Sequence, residues 1–119
     1  MAKVLIVDDD PSFIEFVKLC LINEHDIETA ADGKKALALV KKQVFDVVLT
    51  DILMPEKDGL EVIQDLNSLS PQTATIAMSA GIPGMPMCIL KAAKVMGATK
   101  TLTKPFSKDQ LLKMIAQVL

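Results

Sequence analysis

The chain has 119 residues, half of them hydrophobic, with 13 basic residues, all lysine, against 15 acidic ones and a formal net charge of −2. That length fits one domain over residues 1–119 with a sizeable core and leaves little room for a second. The near-balanced charge gives no basis for direct nucleic-acid binding, and without arginine any phosphate contact must use lysine, backbone N–H groups or a metal ion.

Strand and helix signals alternate from end to end. Lys3 to Val7 is a short, nearly all-apolar run, as in a strand buried on both faces. Asp10-Pro11-Ser12 opens a helix in which Ser12 is the expected N-cap and Glu15 would complete a capping box. Phe13, Phe16, Val17, Cys20 and Leu21 repeat on one face of it. Asp26 to Ala31 reads as the second strand, and Asp32-Gly33 turns it into a helix with Ala36, Leu37, Leu39 and Val40 inside. Phe45 to Thr50 is the central strand. Asp58-Gly59 starts a third helix carrying Leu60, Val62, Ile63 and Leu66. Thr73 to Met78 is strand four and Ala98 to Thr103 strand five. Ser107 caps a last helix with Leu111, Leu112, Ile115, Ala116 and Leu119 inside.

Between strands four and five, Ser79 to Cys88 holds two prolines and two glycines where a fourth helix should begin. Proline is tolerated only in a helix's first turn, so that helix is expected over about residues 86–96. The pattern recurs five times with short connections. It predicts an α/β fold: a doubly wound, five-stranded parallel sheet with five helices covering both faces.

Cys20 and Cys88 match no metal spacing and read as reduced core thiols. Lys3 is followed by only four apolar residues before three aspartates, which is no signal-peptide pattern. No apolar run approaches the roughly 20 residues that span a bilayer. A cytoplasmic protein without membrane contact is expected by elimination. His25, the one histidine, falls in a turn far from the acids and reads as solvated.

The strand ends carry the chemistry. Val4-Leu5-Ile6-Val7 runs into Asp8-Asp9-Asp10, the central strand ends in Asp51, and Leu102-Thr103 precedes Lys104-Pro105. Ligands of an open parallel sheet bind beyond the carboxyl ends of its strands. An adjacent acid pair alone could merely cap the next helix. With Asp51 beside it, the set becomes an oxygen-rich pocket suited to Mg²⁺ and lacking the imidazole or thiolate ligands of zinc. Asp10 reads as the capping acid. Ser79 would bring a hydroxyl to the same rim. Cation-binding acids, one nucleophilic acid and a fixed ammonium are what phosphoryl transfer to a carboxylate requires.

Val7-Asp8-Asp9-Asp10, Leu49-Thr50-Asp51-Ile52-Leu53-Met54-Pro55-Glu56-Lys57-Asp58-Gly59, Met78-Ser79-Ala80 and Thr103-Lys104-Pro105-Phe106 resemble the receiver domain of bacterial two-component response regulators. The resemblance covers essentially the whole chain. It implies a flavodoxin-like sheet in the order 2-1-3-4-5. It also implies a signalling switch with self-catalysed phosphoryl chemistry rather than an enzyme acting on metabolites. Asp51 would accept a phosphoryl group from a histidine kinase or phosphotransfer protein. Asp9 would bind Mg²⁺ (for which Mn²⁺ can substitute) directly, Asp8 mainly through water, and Leu53 by its backbone carbonyl. Lys104 and Ser79 would hold phosphoryl oxygens. The face of the fourth helix, fifth strand and fifth helix would control an effector protein or domain, as a monomer or weak homodimer. Lys91, Lys94 and Lys100 lie near it and suit an acidic partner.

The chain departs from the family pattern at Thr101, where many members carry a Tyr or Phe that turns inward on activation. Thr101 is thus expected to change rotamer with Ser79, and the loop from Ile82 to Met87 to carry the readout. Two alternatives remain: a degenerate receiver used only for docking, and a haloacid-dehalogenase-type phosphohydrolase. The second usually needs another Asp two residues after the nucleophile, where this chain has Leu53.

Overall fold

The computed structural model describes residues 2–52, 59–80 and 97–119. Five strands, β1 (Lys3–Val7), β2 (Asp26–Ala30), β3 (Val47–Asp51), β4 (Ala74–Ala80) and β5 (Lys100–Lys104), form one sheet. All pairings are parallel, in the order β2-β1-β3-β4-β5. The described helices are α1 (Pro11–Leu21), α2 (Gly33–Lys42), α3 (Gly59–Leu69) and α4 (Lys108–Val118). The helix expected over residues 86–96 and the Ile82–Met87 loop lie outside the described residues, as does Cys88. None of the described helices is long and apolar enough to cross a membrane.

Strand composition tracks position in the sheet. Val4 to Val7 and Val47 to Leu49 are fully buried because helices cover both faces of these strands. β2 and β5 are the edges, and their sequences DIETA and KTLTK are correspondingly polar. Alternation along the strands splits the core in two. Val4, Ile6, Val47, Leu49, Ile76, Met78 and Leu102 pack with α1 and α4. Leu5, Val7 and Val48 pack with α2 and α3 through Ala36, Val62 and Leu66.

Among the described residues, the elements agree with expectation apart from their edges. The N-cap of α1 is Asp10, not Ser12: Asp10 Oδ1 accepts the Ser12 N–H at 3.0 Å, and Pro11 takes the first helical position, where its missing N–H costs nothing. The Ser107–Gln110 capping box of α4 is complete. Strand three starts at Val47 rather than Phe45; Asp46 just before it donates its N–H to the Lys3 carbonyl at 2.8 Å, and its Oδ2 accepts the Lys3 N–H at 2.8 Å. Phe16, Ala116 and Leu119, expected inside, are exposed; the apolar stripes of α1 and α4 are narrower than their sequences imply. His25 is half-buried rather than merely solvated, and its Nδ1 accepts the Ala2 N–H at 3.1 Å. Gly97 precedes β5 with φ +117°, a backbone region that side chains disfavour.

Candidate functional site

Sheet register places the charged residues. Val7 pairs with Thr50, Asp51 with Met78, and Ala80 with Lys104, so the ends of β1, β3, β4 and β5 meet at one edge of the sheet. Asp8 continues the row of Val4 and Ile6, Asp51 that of Val47 and Leu49, and Lys104 that of Leu102. Residues two apart share a face, so these three charged groups belong to the α1–α4 side. Ser79 and Thr101 fall in the alternate rows, with Ala77, whose cluster includes Ile63 of α3.

The structure brings Asp8, Asp9 and Asp51 together: one carboxylate oxygen from each lies within 4.8 Å of the others. Asp8 and Asp51 are buried and Asp9 is exposed. Lys104 Nζ donates to Asp8 Oδ2 at 2.8 Å and stands 3.6 Å from Asp51 Oδ2. The other Asp8 oxygen, Oδ1, accepts the Asp10 N–H at 3.0 Å. Both oxygens of Asp8 are therefore engaged within the protein, while Asp10 itself is committed to capping α1.

Among the described residues, three carboxylates against one ammonium leave two negative charges in a small volume. Neighbouring carboxylates repel unless a cation neutralises them, and one divalent ion offsets that excess. The donors are all hard oxygens, as Mg²⁺ prefers, with water and phosphate completing its shell. Asp8 and Asp9 open onto a solvent-accessible cleft that Pro11, Ile14, Glu15, Lys18, Thr29 and Ala31 also line.

Ser79 is buried at the end of β4, one residue beyond the partner of Asp51 and opposite Thr103. Thr101 is half-buried in β5 opposite Ala77. Leu53 lies outside the described residues. One neighbour of the site was hidden in the sequence: Phe13, read there as part of the α1 stripe, puts its ring 4.0 Å from Lys104 Nζ. Its place in the first turn after the acids was the available signal.

A family model for the response regulator receiver domain matches residues 4–116. The chain is 34% identical to the chemotaxis protein CheY of Listeria monocytogenes, over 97% of this chain and 96% of that protein. It is also 34% identical to the transcriptional regulatory protein TrcR of Mycobacterium tuberculosis, over 98% of this chain but 45% of TrcR. The chain thus spans about half the length of that regulator, and 26% of GlrR from Escherichia coli. Among solved structures, the Vibrio cholerae chemotaxis protein CheY4 superposes with a TM-score of 0.89 at 37% identity, covering 100% of this chain and 99% of that one. NtrX from Brucella abortus superposes at 0.91 with 26% identity, over 99% of this chain and 27% of NtrX. With its sheet order and its strand-end acids and lysine, the chain belongs to the response regulator receiver domain family of two-component signalling.

Proposed function

We propose that residues 1–119 form one receiver domain that takes a phosphoryl group on Asp51 from the phosphohistidine of a sensor kinase or phosphotransfer protein. The observation that carries this reading is the convergence of Asp8, Asp9 and Asp51 within 4.8 Å, with the Lys104 ammonium on two of them. An Asp51 carboxylate oxygen attacks phosphorus, the P–N bond breaks, and the departing imidazole nitrogen takes a proton from solvent. The product is an acyl phosphate on Asp51.

Asp8, Asp9, Asp51 and the Leu53 carbonyl would hold Mg²⁺, which when bound offsets the charge of the carboxylates and phosphoryl oxygens. Asp9 suits direct coordination because it is exposed, whereas Asp8 already spends an oxygen on each of Lys104 and Asp10, in keeping with an outer role through water. Lys104 would transfer its attraction from the two carboxylates to a phosphoryl oxygen, and Ser79 would donate its hydroxyl to another. A phosphoryl group brings roughly −1.5 to −2 charges. Drawing Ser79 and Lys104 toward that charge would bias β4 and β5, with Thr101 following Ser79, and change the face that an effector protein or domain reads. The setting would be the cytoplasm, and the chain's own chemistry would stop at phosphorylation and dephosphorylation of Asp51.

Acyl phosphates are reduced by borohydride to the alcohol. After treatment with acetyl phosphate and Mg²⁺, then borohydride, peptide mapping is expected to find homoserine in place of Asp51. Homoserine elsewhere, or nowhere, would refute the assignment.

A further inference from the structure

Lys104 reaches the acids across an aromatic surface. Its Nζ lies 4.0 Å from the centroid of the Phe13 ring, besides 2.8 Å from Asp8 Oδ2 and 3.6 Å from Asp51 Oδ2. The negative face of an aromatic ring attracts a cation within about 6 Å, more strongly as both lose water. The Lys104 side chain keeps only 15% of its exposure. Two carboxylates and one ring face thus surround an ammonium that has three donors and no acceptor.

The ring is itself braced. Phe13 meets Phe106 edge to face, with centroids 5.5 Å apart at 88°, and Phe16 at 5.9 Å. Phe106 is buried and lies two positions beyond Lys104, so the segment that carries the lysine also supports the ring that holds it. Lysine has a long, flexible stem that must be ordered when its ammonium pairs. A ring packed against its tip imposes part of that order before any phosphoryl group arrives, so less freedom is lost on pairing.

We propose that Phe13 is a positioning residue for the phosphoryl site: its ring face holds the Lys104 ammonium over the acids, ready for an oxygen on Asp51. The proposal rests on the reading of Asp51 as the acceptor. A leucine at position 13 would keep apolar contact with Phe106 but lose the ring; a tyrosine would keep both.

Beryllofluoride, a tetrahedral mimic of the phosphoryl group on a carboxylate, tests it in the full chain with Mg²⁺ present. F13L is expected to weaken beryllofluoride binding by roughly three- to tenfold, the worth of a partly desolvated cation–ring contact, while F13Y restores it. Mg²⁺ affinity measured alone should not fall, since Phe13 touches Lys104, a cation that competes with Mg²⁺ for Asp8 and Asp51, and not the acids themselves. The Lys104 ε-methylene protons should resonate upfield under the ring current in the parent and in F13Y, and lose that shift in F13L. Phe13→Met, which also keeps bulk without a ring, serves where F13L does not fold. Beryllofluoride binding by F13L equal to the parent's, an equal loss of Mg²⁺ affinity, or an unshifted ε-methylene overturns the proposal alone. A parent chain that takes up no beryllofluoride overturns the receiver reading, and the proposal with it.

Discussion

Lys104 and Asp8, 96 positions apart in the chain, close a 2.8 Å salt bridge across the carboxyl end of the sheet. Asp8 is almost wholly buried, and Lys104 is the cation in contact with it among the described residues. Removing one partner of a buried pair strands the other charge. Lys104→Met is therefore expected to destabilise the fold by about 2–4 kcal/mol, at or below the cost for a fully buried pair. A urea midpoint equal to the parent's would show that Asp8 is stabilised in some other way.

The excess of negative charge around Asp8, Asp9 and Asp51 has its own signature. Without divalent cations, Asp9→Asn should raise the melting temperature, because it relieves repulsion at an exposed position with little to lose. Adding Mg²⁺ should reverse the order. A ligand at 100 times its dissociation constant stabilises by about 2.7 kcal/mol, and the parent should gain more of this than Asp9→Asn. Identical responses of the two chains to Mg²⁺ would remove Asp9 from the metal set.

The alternating pattern of apolar runs and helical stripes made the layer order legible, because strands buried on both faces can hardly be written any other way. The acids, Asp51 and Lys104 were legible for the same reason, since a charge ending such a run must face the sheet's edge. Edges read less well. Ser12 resembles an N-cap in sequence, but Pro11 at the first helical position makes Asp10 the cap. Asp46 belongs to an apolar run, yet β3 begins only after it, with the Asp46 side chain accepting the Lys3 N–H. Phe13 showed helical spacing and a place in the first turn after the acids, but its contact with Lys104 depends on how α1 packs against β5, which neither signal encodes.

Burial raises the Cys20 thiol above its ordinary pKa of 9.0, with the positive charge of Lys108 opposing the shift. The unfolded chain ionises first as pH rises. The contribution of Cys20 to stability is accordingly whole below the ordinary thiol pKa and is lost as pH rises through its folded value. In a Cys88→Ala chain, alkylation of Cys20 at pH 8 should be slower folded than in urea, because the side chain is buried and the thiolate is the reacting form. Equal rates would show that Cys20 is open to solvent.

Gly97 combines a φ of +117° with a tight neighbour: a Cβ built there would stand 3.0 Å from the Asn67 side chain. Gly97→Ala should cost about 1–3 kcal/mol, the usual penalty for forcing a side chain into such backbone. Shortening Asn67 to alanine should recover only the steric part. Full recovery in the double variant would place the cost in the contact rather than the backbone.

The most direct test of the account is the intact mass of the chain after incubation with acetyl phosphate and Mg²⁺, for the parent and for Asp51→Ala. The convergence of Asp8, Asp9, Asp51 and Lys104 predicts one phosphoryl adduct in the parent, absent when EDTA is added beforehand and absent in Asp51→Ala. No adduct in the parent, or one that persists in Asp51→Ala, would contradict it.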